Sequence, residues 1–424
     1  MPSLVFAHGA RVGHDGATVD NLAEYILFGL YVAAGPLMSV LFGIALVKGR
    51  KRMMLVQRPA MALPTRAPPV TILVPARNEG ERIEECLRSV LGQDWPELEV
   101  VAIDDRSSDG TGRVMDELSQ GDRRLKVVHI AAGPPEGWTG KCHALDVGVG
   151  QATGEWLLFV DSDVVLERDA LPATMAFALD QGVDLVSLLP KLECRSFWER
   201  LLIPIAGCAL NMMHLTALTN NNHRRAAFAN GQYMLFRRQV YEAVGGHRAV
   251  RDRFCEDIAF AQLLKGGGYQ VRISWGTHLA TVRMYDSLAA IRRGWARIFF
   301  AAGMGTPGRI ISGSAYVVAC WYSVWAAIGW GVWRMIHPVN AFGAWGWLGV
   351  AGTHLVMLTG LLGAMYAWSG NRRRSALLWP VGIAMLLGIF GKSLRMCLTG
   401  MVEWRGMRYR LRQSGKKRDW IVVE

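Results

Sequence analysis

Between Tyr25 and Val47 the chain runs for 23 residues without a charged side chain. At 1.5 Å per residue, a helix of that length crosses a hydrocarbon core about 30 Å thick. Ile310 to Trp333 and Ala341 to Ser369 are uncharged in the same way, and a shorter run, Ser375 to Gly391, carries Pro380 and then meets Lys392 and Arg395. Uncharged runs of this length are hard to place in a water-soluble core. The chain must be divided between lipid and water. Its totals agree: 51% of residues are apolar, yet the net charge is +12.

The flanking charges suggest an orientation. One Arg and three acids precede the first run; Lys48, Arg50, Lys51, Arg52 and Arg58 follow it. The positive-inside rule then places residues 1–24 outside, a transmembrane anchor at 25–47, and a basic juxtamembrane linker at 48–69 in the cytoplasm. A signal peptide would need a basic start and a shorter core, so the anchor is read as uncleaved. Gly35-Pro36 marks a kink. Transmembrane segments are expected at 310–333 and 341–369. From Asn371 onward there are twelve Lys and Arg against three Asp and Glu. A basic tail can bind nucleic acid, but this one follows apolar segments directly and reads as juxtamembrane, so no nucleic-acid partner is expected. Three later spans would leave that tail outside. Residues 375–398 are therefore read as transmembrane or re-entrant, with the tail, 399–424, inside. Leu201 to Asn222 also lacks charge, but Pro204, Asn211 and His214 make it a poor span. It reads as an interfacial helix at about 197–218, with a buried core helix as the alternative. The seven cysteines are scattered, with no C-x-x-C pair, as in a reducing compartment.

Residues 70–300 have the pattern of a globular domain. "VTILVPA", "LEVVAIDD", "LKVVHI" and "EWLLFVDSD" read as strands. "ERIEECLRSVLGQ", "DGTGRVMDELSQ" and "KCHALDVGVGQA" read as helices between them, with Asp109 as N-cap of the second. Alternation of this kind predicts a doubly wound, mostly parallel α/β sheet, which binds ligands beyond the carboxyl ends of its strands. Asp104-Asp105 and Asp161/Asp163 both fall at such ends.

Asp161 and Asp163 close an apolar strand, where uncompensated charge is costly. Beyond the strand the chain turns, so both carboxylates can reach one cation. Magnesium and manganese suit such a site, taking few protein carboxylates and filling the remainder with phosphate and water. A solvated turn is the plain alternative for an isolated D-x-D. The sequence has neither a P-loop nor a strand-anchored G-x-G-x-x-G.

Four stretches occur in order: "VTILVPARNEGERIEECLRSVLGQ", "VVAIDDRSSDGT", "GKCHALDVGVGQATGEWLLFVDSD" and "FCEDIAFAQLLKGGGYQVRI". Together they resemble glycosyltransferase family 2, over about Val70 to Phe300. The resemblance implies a GT-A fold. It also implies that Pro75, Ala76, Arg77, Glu79 and Asp105 hold the nucleoside and that Lys141 faces the nucleotide. Asp161 and Asp163 would carry a divalent metal (Mg2+ or Mn2+) and the diphosphate, and Asp257 of the Glu256-Asp257 pair would be the general base. Each has a plainer reading: Glu79 as a first-turn helix acid, Lys141 as a surface charge, Asp257 as a helix cap. Processive synthases of this family carry Q-x-x-R-W; here Gly294 precedes Trp295 and the Arg is missing. "SFWERLLIP", "ANGQYMLFRR", "VRMY" and "VEWRGMRY" are similar instead to bacterial lipid glycosyltransferases, the hopanoid-associated, carotenoid-acid and ceramide-glucosyltransferase-like groups.

The expectation is thus a multi-pass protein of the bacterial inner membrane with a cytoplasmic catalytic domain. It would transfer one sugar, with inversion, from a nucleotide-sugar donor of the UDP type to a membrane lipid acceptor. A processive polysaccharide synthase and a non-catalytic scaffold are the alternatives.

Overall fold

The computed structural model describes residues 14–57, 67–214, 216–303, 305–337, 343–404, 407–414 and 417–422. Residues 58–66 of the expected linker, Arg58 among them, and residues 1–13 of the expected N-terminal segment lie outside that set. By packing, the chain forms two units: Met1–Gly43 with Tyr316–Leu358, and Ile44–Ala315 with Thr359–Glu424.

The larger unit is built on a seven-stranded sheet of β1 (Val70–Ala76), β2 (Leu98–Asp105), β3 (Leu125–Ile130), β4 (Trp156–Val160), β6 (Leu185–Leu189), β8 (Tyr233–Arg237) and β9 (Val271–Trp275), in the order β3-β2-β1-β4-β8-β6-β9. β1 to β4 run parallel, as do β6 and β9, while β8 is antiparallel to both its neighbours. The sheet is mostly parallel, as the sequence pattern predicts. A small second sheet joins β5 (Val164–Leu166), β10 (Ala280–Val282) and β7 (Lys191–Leu192).

Both faces of the main sheet are covered, which explains why its central strands are largely apolar, as in β4, "WLLFV". Ile72, Val74, Val100, Ala102 and Leu158 point to α3 (Ile83–Leu91), α4 (Thr111–Gly121) and α6 (Ala170–Gln181). Their neighbours Leu73, Val101, Ile103, Leu157 and Phe159 point the other way. There they pack on α5 (Gly140–Val149), α8 (Arg238–Ala243) and α10 (Glu256–Gly266). Each such side chain contributes roughly 1.5–3 kcal/mol by burial. A short helix, α9 (Gly246–Ala249), follows α8.

Asp109 does not cap α4. Gly110 occupies the cap position with φ 93°, in the left-handed region that favours glycine. The Asp109 carboxylate instead accepts N–H bonds from Thr111 (3.1 Å) and Gly80 (3.0 Å), tying the start of α4 to the loop after β1.

Among the described residues, four helices are long and apolar enough to cross a membrane: Leu22–Met53, Pro307–Ile336, Gly343–Trp368 and Arg373–Thr399. The first comprises α1 (His14–Val32), a π-turn at Ala33–Leu37 holding Gly35 and Pro36, and α2 (Met38–Met53). The second comprises α12 (Pro307–Val317), a π-turn at Val318–Tyr322 and α13 (Ser323–Ile336), and the third is α14 (Gly343–Trp368). In the smaller unit, Gly35 leaves room for His354; a Cβ there would lie 2.8 Å from its ring. The His354 ring in turn meets the Tyr31 hydroxyl at 3.0 Å and the Ser39 hydroxyl at 3.2 Å. Glu24 pairs with buried Arg334 at 3.0 Å. These polar groups of the apolar helices are therefore paired with one another, the arrangement a membrane interior would favour.

The fourth helix begins as a 3₁₀ turn, Arg373–Leu378, and continues as α15 (Trp379–Thr399), with no reversal inside the apolar stretch. α15 packs on α7 (Phe197–His214) and α11 (Leu288–Ala302). Gly382 permits the close approach: a Cβ there would come within 2.4 Å of Ile205 Cδ1. α7 is the segment read as interfacial. Its Leu201, Leu202, Ile203, Ile205 and Ala206 are buried, while Phe197 and Trp198 at its start are exposed. The buried-helix alternative describes most of it better. The basic tail is also more ordered than its charge suggests. It forms an antiparallel sheet of β11 (Met401–Trp404), β12 (Met407–Ser414) and β13 (Lys417–Val422).

Candidate active site

The larger unit contains a cavity of about 740 Å³ beyond the carboxyl ends of β1, β2 and β4. All ten residues singled out from sequence line it: Pro75, Ala76, Arg77, Glu79, Asp105, Lys141, Asp161, Asp163, Glu256 and Asp257.

Pro75 and Ala76 end β1, and Arg77 to Glu79 form the loop that follows. Asp105 ends β2. Its carboxylate accepts from Arg106 Nε at 2.7 Å and lies 3.8 Å from Arg77 Nη1. The two loops are laced together. Ser107 Oγ accepts the Asn78 N–H (3.0 Å), Asn78 Oδ1 accepts the Ser108 N–H (2.9 Å), and Thr111 Oγ1 accepts the Glu79 N–H (2.8 Å). Asn78 and Arg106 both take positive φ, 54° and 57°. Non-glycine residues held there mark loops whose shape is fixed by their surroundings. Glu79 precedes α3, whose first residue is Ile83, so it is not a first-turn acid of that helix.

Lys141 is not a surface charge. It is the second residue of α5, and its Nζ sits 2.6 Å from Asp161 Oδ1 and 2.6 Å from Glu256 Oε1. Burial alone would lower its pKa, but the two carboxylates hold it well above the usual lysine value. One ammonium therefore joins the acid after β4 to the acid pair opening α10.

Asp257 lies in the first turn of α10. Its Oδ2 accepts the Gly231 N–H (2.8 Å) and its Oδ1 the Ile258 N–H (2.7 Å). A helix start favours an ionised carboxylate. Here burial, reinforced by the Glu256 charge, prevails and pushes Asp257 up to about 7. A carboxylate so placed takes up and releases a proton near neutrality, which suits a general base.

Sequence reasoning did not single out Gly231. A Cβ there would stand 3.2 Å from both Glu256 Oε1 and Lys141 Nζ, and 3.3 Å from Asp257 Oδ2. A side chain there would crowd three charged groups at once, each of which would have to give by a few tenths of an ångström. Trp295 lines the cavity, and the missing Arg before it has a steric counterpart: a Cβ at Gly294 would fall 2.1 Å from the Tyr285 ring. Tyr409, from the C-terminal sheet, also lines the cavity. The lining also includes apolar side chains, among them Leu192, Pro204, Leu210, Phe228, Trp275 and Met284.

Among the described residues, no three His, Cys, Asp or Glu side chains are grouped to hold an ion by themselves. Asp161 and Asp163 are hard oxygen donors, and two carboxylates with phosphate oxygens are what Mg2+ or Mn2+ accepts. The donor set fits a metal that binds together with a diphosphate.

The family model described as glycosyl transferase family 2 matches residues 71–245. This segment is a family 2 glycosyl transferase domain. The chain is 28% identical over 250 residues to 4,4'-diaponeurosporenoate glycosyltransferase of Staphylococcus aureus (strain USA300), covering 57% of this chain and 64% of that protein. It therefore spans less than two thirds of the curated relatives it matches. Among solved structures it is similar to a mannosyltransferase, PcManGT, of Pyrobaculum calidifontis in complex with GDP-Man and Mn2+ (TM-score 0.46, 19% identity, 87% of this chain and 98% of that one). It is also similar to S. aureus TarS 1-349 in complex with UDP-GlcNAc (TM-score 0.37, 14% identity, 83% and 99%). The family 2 domain supplies Arg77, Asp105, Lys141, Asp161 and Asp163; Glu256 and Asp257 come from the chain just after the matched segment.

Proposed function

We propose that the protein is an inverting glycosyltransferase that moves a single sugar from a nucleotide-sugar donor to an apolar, membrane-resident acceptor. The observation that carries this reading is the mixed lining of one cavity. Arg77, Asp105, Lys141, Asp161, Asp163 and Asp257 line it together with apolar Leu192, Pro204, Leu210, Phe228, Trp275 and Met284. The relative named for 4,4'-diaponeurosporenoate supports a lipid acceptor. A UDP-sugar is the donor class we favour.

In this reading Arg77 and Asp105 bind the nucleoside, and Lys141 faces the diphosphate. Asp161 and Asp163 would hold Mg2+ or Mn2+, which would stabilise the leaving diphosphate as a Lewis acid. Asp257 accepts the proton of an acceptor hydroxyl as the oxygen attacks the anomeric carbon. A single displacement from the face opposite the diphosphate inverts that carbon.

Lipid extracts from cells with and without the protein should differ by one species carrying one added hexose, read by mass spectrometry. A ladder of hexose additions would support the processive alternative, and no difference would reject transfer to lipid. We further propose that the family 2 domain is cytoplasmic, where nucleotide sugars are made. Cys142 is buried and Cys255 partly so, and neither reports accessibility well. A cysteine at exposed Gln120 should escape a membrane-impermeant thiol reagent in intact cells and react after lysis. Labelling of intact cells would reverse the orientation.

A further inference from the structure

We propose that the C-terminal sheet is a wall of the donor site and that Tyr409, at its centre, is a nucleotide-binding residue. The inference rests on reading the cavity as a nucleotide-sugar site, and it concerns a segment that lies well beyond the family 2 match.

The strand pattern sends one side chain inward. Along β12, Arg408 and Arg410 are exposed, whereas Tyr409 is fully buried. Val402 of β11 lies opposite Tyr409 in register, and both pack with Phe300 of α11. The Tyr409 ring meets Phe254 edge to face at 5.1 Å, and both rings line the cavity. Val402 and Tyr409 thus anchor β11 and β12, and Tyr409 lines the cavity.

The hydroxyl is placed where a nucleotide would be recognised. It accepts the N–H of Gly140 at 3.4 Å, at the first residue of α5 and directly before Lys141. Arg77, Asp105 and Arg106 are its charged neighbours. Burial raises the phenol, so it remains a neutral O–H able to donate. Between the end of β2 and the start of α5, the group such a hydroxyl suits is a ribose or diphosphate oxygen of a nucleoside diphosphate.

The test uses the purified full-length protein with UDP and GDP as probes, together with steady-state kinetics on the donor. Tyr409→Phe keeps the ring against Phe254 and should melt at the wild-type temperature. It should weaken nucleoside diphosphate binding and raise donor KM about fivefold to tenfold, the worth of one neutral hydrogen bond, with kcat little changed. Unchanged affinity and KM in Tyr409→Phe, with a lower melting temperature for Tyr409→Ala, would make the residue structural and overturn the proposal. If the wild-type protein binds neither UDP nor GDP, the donor-site reading itself fails, and this inference fails with it.

Discussion

Asp257→Asn is expected to bind the donor nucleotide with near-native affinity and to lose roughly 100-fold or more in turnover. Asparagine keeps one oxygen for the Gly231 or the Ile258 N–H, so the local loss is on the order of 1 kcal/mol and the protein should fold. It cannot take a proton from the acceptor. The pH profile gives a second readout. Asp257 must be ionised to act, and its pKa is raised to about 7. Wild-type turnover should therefore be full above about pH 7 and fall as pH drops below it, and Asp257→Asn should lack that limb. Stability runs the opposite way. A carboxyl whose folded pKa exceeds its unfolded one favours the fold at low pH, and this contribution is lost as pH rises through about 7. Loss of activity at low pH is thus not unfolding through this group. Wild-type turnover in the variant would remove Asp257 from the mechanism and turn attention to Glu256.

Asp163→Ala should cost several kcal/mol of transition-state stabilisation, on the order of a thousandfold in rate. Asp163 is the more informative acid of its pair. Asp161 already holds the Lys141 ammonium, so removing it would break an ion pair and a candidate metal ligand together. Replacing Asp163 leaves the Lys141–Asp161–Glu256 bridge in place. The wild-type protein should need Mg2+ or Mn2+ and lose activity to a chelator. Full activity of Asp163→Ala in excess chelator would sink the metal assignment.

The sheet and the apolar helices were legible because their burial is uniform. Strands covered on both faces are mostly apolar, as in "VVAI" and "WLLFV", and helices apolar enough to cross a membrane carry no charge over long runs. The charged residues at the strand ends were legible for the same reason: an acid after such a strand stands out. What failed to show depends on partners distant in sequence. α7 has a composition that suits lipid or core equally, and α11 and α15 decide between them. Lys141 looked like any helix lysine because its two carboxylates lie 20 and 115 residues away. The dipole argument for Asp257 was sound locally but was outweighed by burial, which no local pattern reveals. In the C-terminal sheet Arg408 and Arg410 are exposed on either side of buried Tyr409, and arginines dominated the composition. Their alternation in "MRYRLRQ" was the signal for a strand, and Tyr409 was the odd residue within it.

The cavity wall draws on residues from Pro75 to Tyr409, and the last of these follows the fourth apolar helix. Chains are made and begin to fold from the N-terminus. The central sheet, the acid pairs and Asp257 all leave the ribosome before the helix that precedes Tyr409 is complete. A nascent chain can therefore bring these charged residues together and still have an unclosed cavity until the fourth apolar helix and the strand carrying Tyr409 have been placed. Timing of synthesis and insertion, as well as chemistry, then determines when this site is first whole.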